Sequence, residues 1–271
     1  MVRSLWTAAT GMIAQQTNID TIANNLSNVN TQGYKTQVNE FKTLLYQTLQ
    51  TRTTSANGEE KPIGAQVGLG VRNSAITAIF KQGTPMASES DTDFMIEGEG
   101  FFALRGEDGN TYYTRNGSFQ FAIGTNGYVL ANMDGLPVLS TNGQPITLNR
   151  DYILSEVTVD KDGRLCYPDE NENPQPLGIS IGVFQFNNPS GLNRLEDTLY
   201  AVSDASGQPI NEATNNAVEK SKIHQGYLEG SNVQVVDEMV SMIVAQRAYE
   251  LNSKAITTSD EMLQQANNLK R

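Results

Sequence analysis

The sequence predicts an α+β chain: N- and C-terminal helices forming a discontinuous coiled coil, joined by extended segments to a central antiparallel β-domain. Three observations carry this. Apolar residues recur every seven positions at both ends of the chain, they alternate with a period of two through the middle, and all nine prolines fall between Pro62 and Pro209.

The first element is a helix within residues 1–33. Leu5, Met12, Ile19 and Leu26 lie seven apart, and Ala8, Gln15, Ile22 and Val29 follow each by three, with one polar lapse at Gln15. From 3 to 30 the only charged side chains are Arg3 and Asp20. A helix face meant for water usually carries Glu and Lys, whereas amides and small hydroxyls are buried at tolerable cost once they find partners. The spacing therefore predicts a seam packed against protein, and the uncharged outer face points to copies of the same chain. The helix closes in ANNLSNVNTQGYK, 23–35, where Asn24, Asn25, Asn28, Asn30, Gly33 and Tyr34 are poor helix interior.

Residues 34–90 read as an extended connection with a polar, low-complexity excursion at about 47–66. The central β-domain, 91–203, contains short alternating runs such as FMIEGEGFFALR, TYYTR and GISIGVFQF. Between the runs, EDGN, RNGS, TNGY, MDGL, TNGQ and KDGR read as hairpin turns. A return connection, 204–231, leads to the last helix, 232–271, which Ser231 or Asn232 is placed to cap. Its seam is Val235, Met242, Tyr249, Ile256 and Leu263, again seven apart.

Composition excludes several classes of function. A net charge of −11 argues against nucleic acid and anionic lipid, which reward a basic face. No run approaches the ~18 apolar residues of a membrane span, and the N-terminus lacks the apolar region of a cleaved secretory signal. With one Cys and one His there are too few ligands for structural zinc and no disulfide framework. Gly178-Ile179-Ser180-Ile181-Gly182 matches a nucleophile elbow in letters only: it sits in a strand with no helix pattern after it, and His224 lies in a polar return segment. DENENP, 169–174, places Pro174 where a calcium loop requires glycine. Gly68-Leu69-Gly70 lacks both the third glycine and the lysine of phosphate loops. The expectation is no catalytic residue, no cofactor and no metal.

LWTAATGMIAQQTNIDTIANNLSNVNTQGYK resembles the N-terminal signature of bacterial flagellar rod and hook proteins, in which a helix ends at A-N-N-[L/I]-[A/S]-N-x-[N/S]-T-x-G-[F/Y]-K. GYLEGSNVQVVDEMVSMIVAQRAYELNSKAI, 226–256, resembles that family's C-terminal signature. FMIEGEGFFALR and TYYTRNGSFQF resemble its central domain, and QVGLGVRNSAI the segment before it. The length and the S-N-V-x-V-V start of the last helix are most similar to the distal rod branch. The resemblance implies a non-enzymatic structural subunit that polymerises into a helical tube as a drive shaft. Its implied partners are copies of itself, other rod and hook proteins and the flagellar type III export apparatus. Its implied place is the basal body outside the cytoplasmic membrane, reached without signal cleavage. The asparagines would then cap the helix and bond the turn at a subunit junction, with Gly33 taking a positive φ. Segment 51–61 would dock on a neighbour and stiffen the tube. A proximal-rod or hook-type subunit, a secreted β-rich cell-wall enzyme and a monomeric binding module are the competing readings.

Overall fold

The computed structural model describes residues 2–50, 65–124, 127–169, 173–196, 198–215 and 218–269. They form two compact units. One comprises Met1–Ser27, Gln37–Thr77 and Gln234–Arg271; the other comprises Asn28–Thr36 and Ala78–Val233.

The first unit holds helix α1, Val2–Ser27, and helix α2, Val235–Asn268. They run antiparallel, with Ser4 beside Ser259 at one end and Asn25 beside Glu238 at the other. Two ribbons complete it: Gln37–Thr43 pairs with Val71–Ala78, and Tyr46–Gln50 pairs antiparallel with Ala65–Gly68. The flanks of the polar excursion at 47–66 are therefore a hairpin rather than free extended chain. Residues 51–64, which include the segment 51–61 given a stiffening role, lie outside the described residues.

Helix α1 ends before its apolar pattern does, and α2 starts later than residue 232. α1 stops at Ser27 because Asn28 starts a turn: its carbonyl accepts the Thr31 N–H at 3.2 Å, and its Oδ1 accepts the Thr31 hydroxyl at 3.1 Å. Val29 thus lies beyond the helix. α2 begins after Gln234, which supplies no side-chain cap, so neither Ser231 nor Asn232 caps it.

The second unit is a set of small antiparallel sheets. The largest has six strands in the order Asn193–Arg194, Leu199–Ala201, Thr111–Thr114, Phe101–Arg105, Val183–Gln185 and Ile210–Asn211. Alternation places the two faces of Phe101–Arg105 in different cores. Phe102 and Leu104 join Phe94, Phe119, Val138 and Ile146, while Phe101 and Ala103 join Tyr113, Phe186 and Tyr200. In the second core Tyr113 meets Phe186 edge-on at 4.9 Å between ring centroids.

This unit reaches beyond 91–203 in both directions. Tyr227–Glu229 pairs with Pro85–Ala87, and Lys222–Gln225 pairs with Phe94–Glu97, so much of the return segment is sheet rather than connector. The EDGN, MDGL, TNGQ and KDGR glycines take positive φ between 73° and 82°, as turns of this kind require. RNGS is different: a Cβ on Gly117 would lie 1.7 Å from the Phe94 carbonyl oxygen, so this glycine permits close strand approach rather than a hairpin turn.

Candidate functional site

The helix pair is built inside out. Its contacts follow one register: Ser4 faces Ser259 with hydroxyls 3.4 Å apart, a Cβ on Gly11 would touch the Asn252 amide at 2.9 Å, and Asn25 Nδ2 donates to Glu238 Oε1 at 3.2 Å. The rows are one and then two heptads apart, so small and polar side chains occupy the seam centre. Ala8, Ile22 and Ala245 are buried alongside.

The apolar heptad flanks this seam instead of filling it. Leu5, Met12, Ile19, Leu26, Met242 and Ile256 are half-buried. Val235, Tyr249 and Leu263 are exposed. In this antiparallel register Leu263 and Val235 both fall beyond the ends of α1. Val29, half-buried, belongs to the turn that follows Ser27, in the second unit.

Diametrically across α2 from the seam, at 100° per residue, runs a second stripe. Val236, Met239, Val240, Ile243 and Val244, spaced i, i+3, i+4, i+7 and i+8, are each 52–72% exposed. On α1, Trp6 and Ile13 lie one heptad apart on the outer side, 68% and 65% exposed. A stripe of this length on a folded surface is a candidate interaction face.

The helix-end motif divides between the two units. Asn25, 1% exposed, belongs to the first; its amide bonds both backbone groups of Gln37, donating to the carbonyl at 2.8 Å and accepting the N–H at 2.9 Å. Asn24 is exposed, and its carbonyl accepts the Ser27 hydroxyl at 3.0 Å. In the second unit, Asn28 builds the turn described above and Asn30 is exposed. Gly33 has φ +68°, and any Cβ there would lie 2.6 Å from the Asn116 nitrogen, so only glycine fits. Tyr34 is buried, with its N–H directed at the Thr31 carbonyl at 3.4 Å.

Next to Tyr34 lies a cluster that the reading of motifs as turns passed over. Glu229, Lys35 and Arg115 are all at least 97% buried. Lys35 Nζ lies 2.6 Å from Glu229 Oε1, and Arg115 Nε lies 3.0 Å from Glu229 Oε2. The remaining donors are also matched: Lys35 reaches the Lys81 carbonyl at 2.8 Å, and Arg115 Nη1 reaches the carbonyls of Gly98 and Gly100. Burial, then the nearby Arg115 charge, lower the Lys35 pKa to about 8, against the opposing pull of Glu229. A signal was present in the sequence. Each of these residues is the only charge in its motif: Lys35 in NVNTQGYKTQVN, Arg115 in TYYTRNGSFQF and Glu229 in GYLEGSN.

Ser180 and His224, weighed as catalytic residues, have other partners: the Ser180 hydroxyl pairs with Thr141 at 2.9 Å, and the His224 ring with Glu97 at 2.8 Å. Among the described residues no group of three His, Cys, Asp or Glu is placed to hold a metal, and no helix is long and apolar enough to cross a membrane.

Three family models match the chain in order. Residues 5–35 match "Flagella basal body rod protein", 95–167 match "Flagellar hook protein FlgE/F/G D1 domain", and 224–269 match "Flagellar basal body rod FlgEFG protein C-terminal". The flagellar basal-body rod protein FlgG of Borreliella burgdorferi is 44% identical, with both chains covered over their full length. The chain belongs to the flagellar basal-body rod family. The protein of the same description from Bacillus subtilis is 35% identical, again over the whole of both chains. The flagellar hook-basal body complex protein FlhP of Bacillus subtilis is 32% identical over 97% of each. Members of this family are structural components of the flagellum, not enzymes. The Lys35, Arg115 and Glu229 cluster draws one residue from each of the three stretches that carried the resemblance.

Proposed function

We propose that copies of this chain polymerise into the distal part of the flagellar rod, a helical tube that carries torque from the motor to the hook. One observation carries the reading: the outward stripe of α2, Val236 to Val244, is apolar and exposed while the face toward α1 is small and polar. An isolated helix pair gains little from that stripe, whereas a neighbouring copy would gain about 1.5–3 kcal/mol for each side chain it covers. Other rod and hook proteins are the remaining proposed partners, and flagellar type III export the proposed route to a site outside the cytoplasmic membrane.

Electron microscopy of the concentrated protein tests this. Straight tubes are expected, and Val240→Asp is expected to abolish them while the second unit melts as in wild type. Normal tubes from the variant would remove the stripe from the interface. The relationship to the hook-basal body complex protein favours one alternative, a proximal-rod or hook-type subunit. Bendable tubes would select it.

A further inference from the structure

The chain leaves the second unit after Thr36, re-enters at Ala78 and leaves again after Val233. Just inside those points, three segments are bonded to one another. The Asn232 side chain joins all three: Oδ1 accepts the Thr36 N–H and hydroxyl, both at 2.7 Å, and Nδ2 donates to the carbonyls of Ile79 at 2.9 Å and Lys81 at 3.1 Å. Backbone bonds repeat the pattern, Gly33 N–H to the Glu229 carbonyl at 2.8 Å, Gly230 N–H to Thr84 at 2.9 Å and Ile79 N–H to Thr36 at 2.9 Å. Glu229 then binds Lys35 from the first segment, the Gly83 N–H from the second at 2.8 Å, and Arg115 from the unit's interior. Arg115 in turn holds the backbone of Gly98 and Gly100, next to the central strand Phe101–Arg105.

We propose that Glu229 and Asn232, with Lys35 and Arg115, form a mechanical clasp that shares load among three of the four strands that cross between the units and passes it to the central sheet. Bonds between buried ions and backbone are short, directional and shielded from water, so they resist sliding of one strand past another. A single strand carrying the load would instead peel away one ladder bond at a time. The need for such a device rests on the rod reading, since a shaft loads its subunits through these connections.

The test is single-molecule pulling on the full chain with Cys166→Ser and paired cysteine handles. Handles at Val38 and Gln234, just outside the clasp, load it directly; handles at the exposed positions Glu107 and Met133 load the unit elsewhere. Glu229→Gln is expected to lower the rupture force for the first pair by roughly half, because it removes the anion shared by two buried cations, and to leave the second pair unchanged. An unchanged force at the first pair, or an equal fall at both, would overturn the clasp. Should that variant fail to fold, Asn232→Ala removes the bridging amide without stranding a charge, and the same split decides. Both handles sit on one molecule, so the result is independent of whether copies polymerise.

Discussion

The helical unit and the β unit distribute the same kinds of residue in opposite ways. In the β unit both faces of Phe101–Arg105 are covered, and even a buried carboxylate has two cations and a backbone N–H around it. In the helical unit Ser, Gly, Asn and Glu meet across the seam, while Val236, Met239, Val240, Ile243 and Val244 face outward. The first arrangement is complete within one chain. In the proposed tube the second would gain its full stability as other chains cover the stripe, because the ordering entropy of two long helices is set against a seam with little apolar area.

The widest difference between the units should appear in amide exchange. In dilute monomer, α1 and α2 amides are expected to exchange on the order of ten-thousandfold faster than those of Phe101–Arg105, and assembly should close the gap. Equal protection in a verified monomer would break the comparison. Core truncation sharpens it: Phe102→Ala should cost the β unit about 3–5 kcal/mol in urea denaturation, while fluorescence from Trp6 in α1 stays unchanged. Asn25→Ala removes the amide that holds Gln37 and Glu238, at about 1–3 kcal/mol. It should lower the dissociation temperature of assembled tubes without moving the melting of the β unit.

The smallest expected effect concerns pH. Lys35 has its pKa lowered to about 8 in the fold, against an ordinary value near 10.5. Between those values the unfolded chain binds the extra proton, so this residue's contribution to stability is flat below about 8 and rises toward 10.5. Burial raises Tyr113 and Tyr200 to about 12, which works the other way above pH 10. Denaturation at pH 7 to 10 should show a slope in wild type that Lys35→Met lacks.

Periodicity made much of this legible in the sequence. Seven-residue repeats identified both helices, and FFALR announced a strand with two apolar faces. What periodicity does not encode is which side of a stripe has a partner in the same chain. Leu5 and Met12 mark a helix equally well whether they fill the seam or flank it. Arg115 was hidden for another reason: Asn-Gly reads as a hairpin turn, yet Gly117 serves close packing and the arginine points inward. Glu229 and Lys35 find each other across 194 residues, a distance no local pattern spans.

The polar register of the helix pair leaves its phase nearly unspecified along most of its length. Sliding α1 by one heptad, about 10.5 Å, would set Gly11 against Ser259 and Asn18 against Asn252, still small or polar pairs, but would set Asn25 against Ala245 in place of Glu238. What forbids the slip is Asn25, tied at once to Gln37 and Glu238. Phase is thus anchored at one end and carried outward, as a vernier is read from its zero mark, and the outward-facing side chains of both helices take their height from a register that this amide helps to fix.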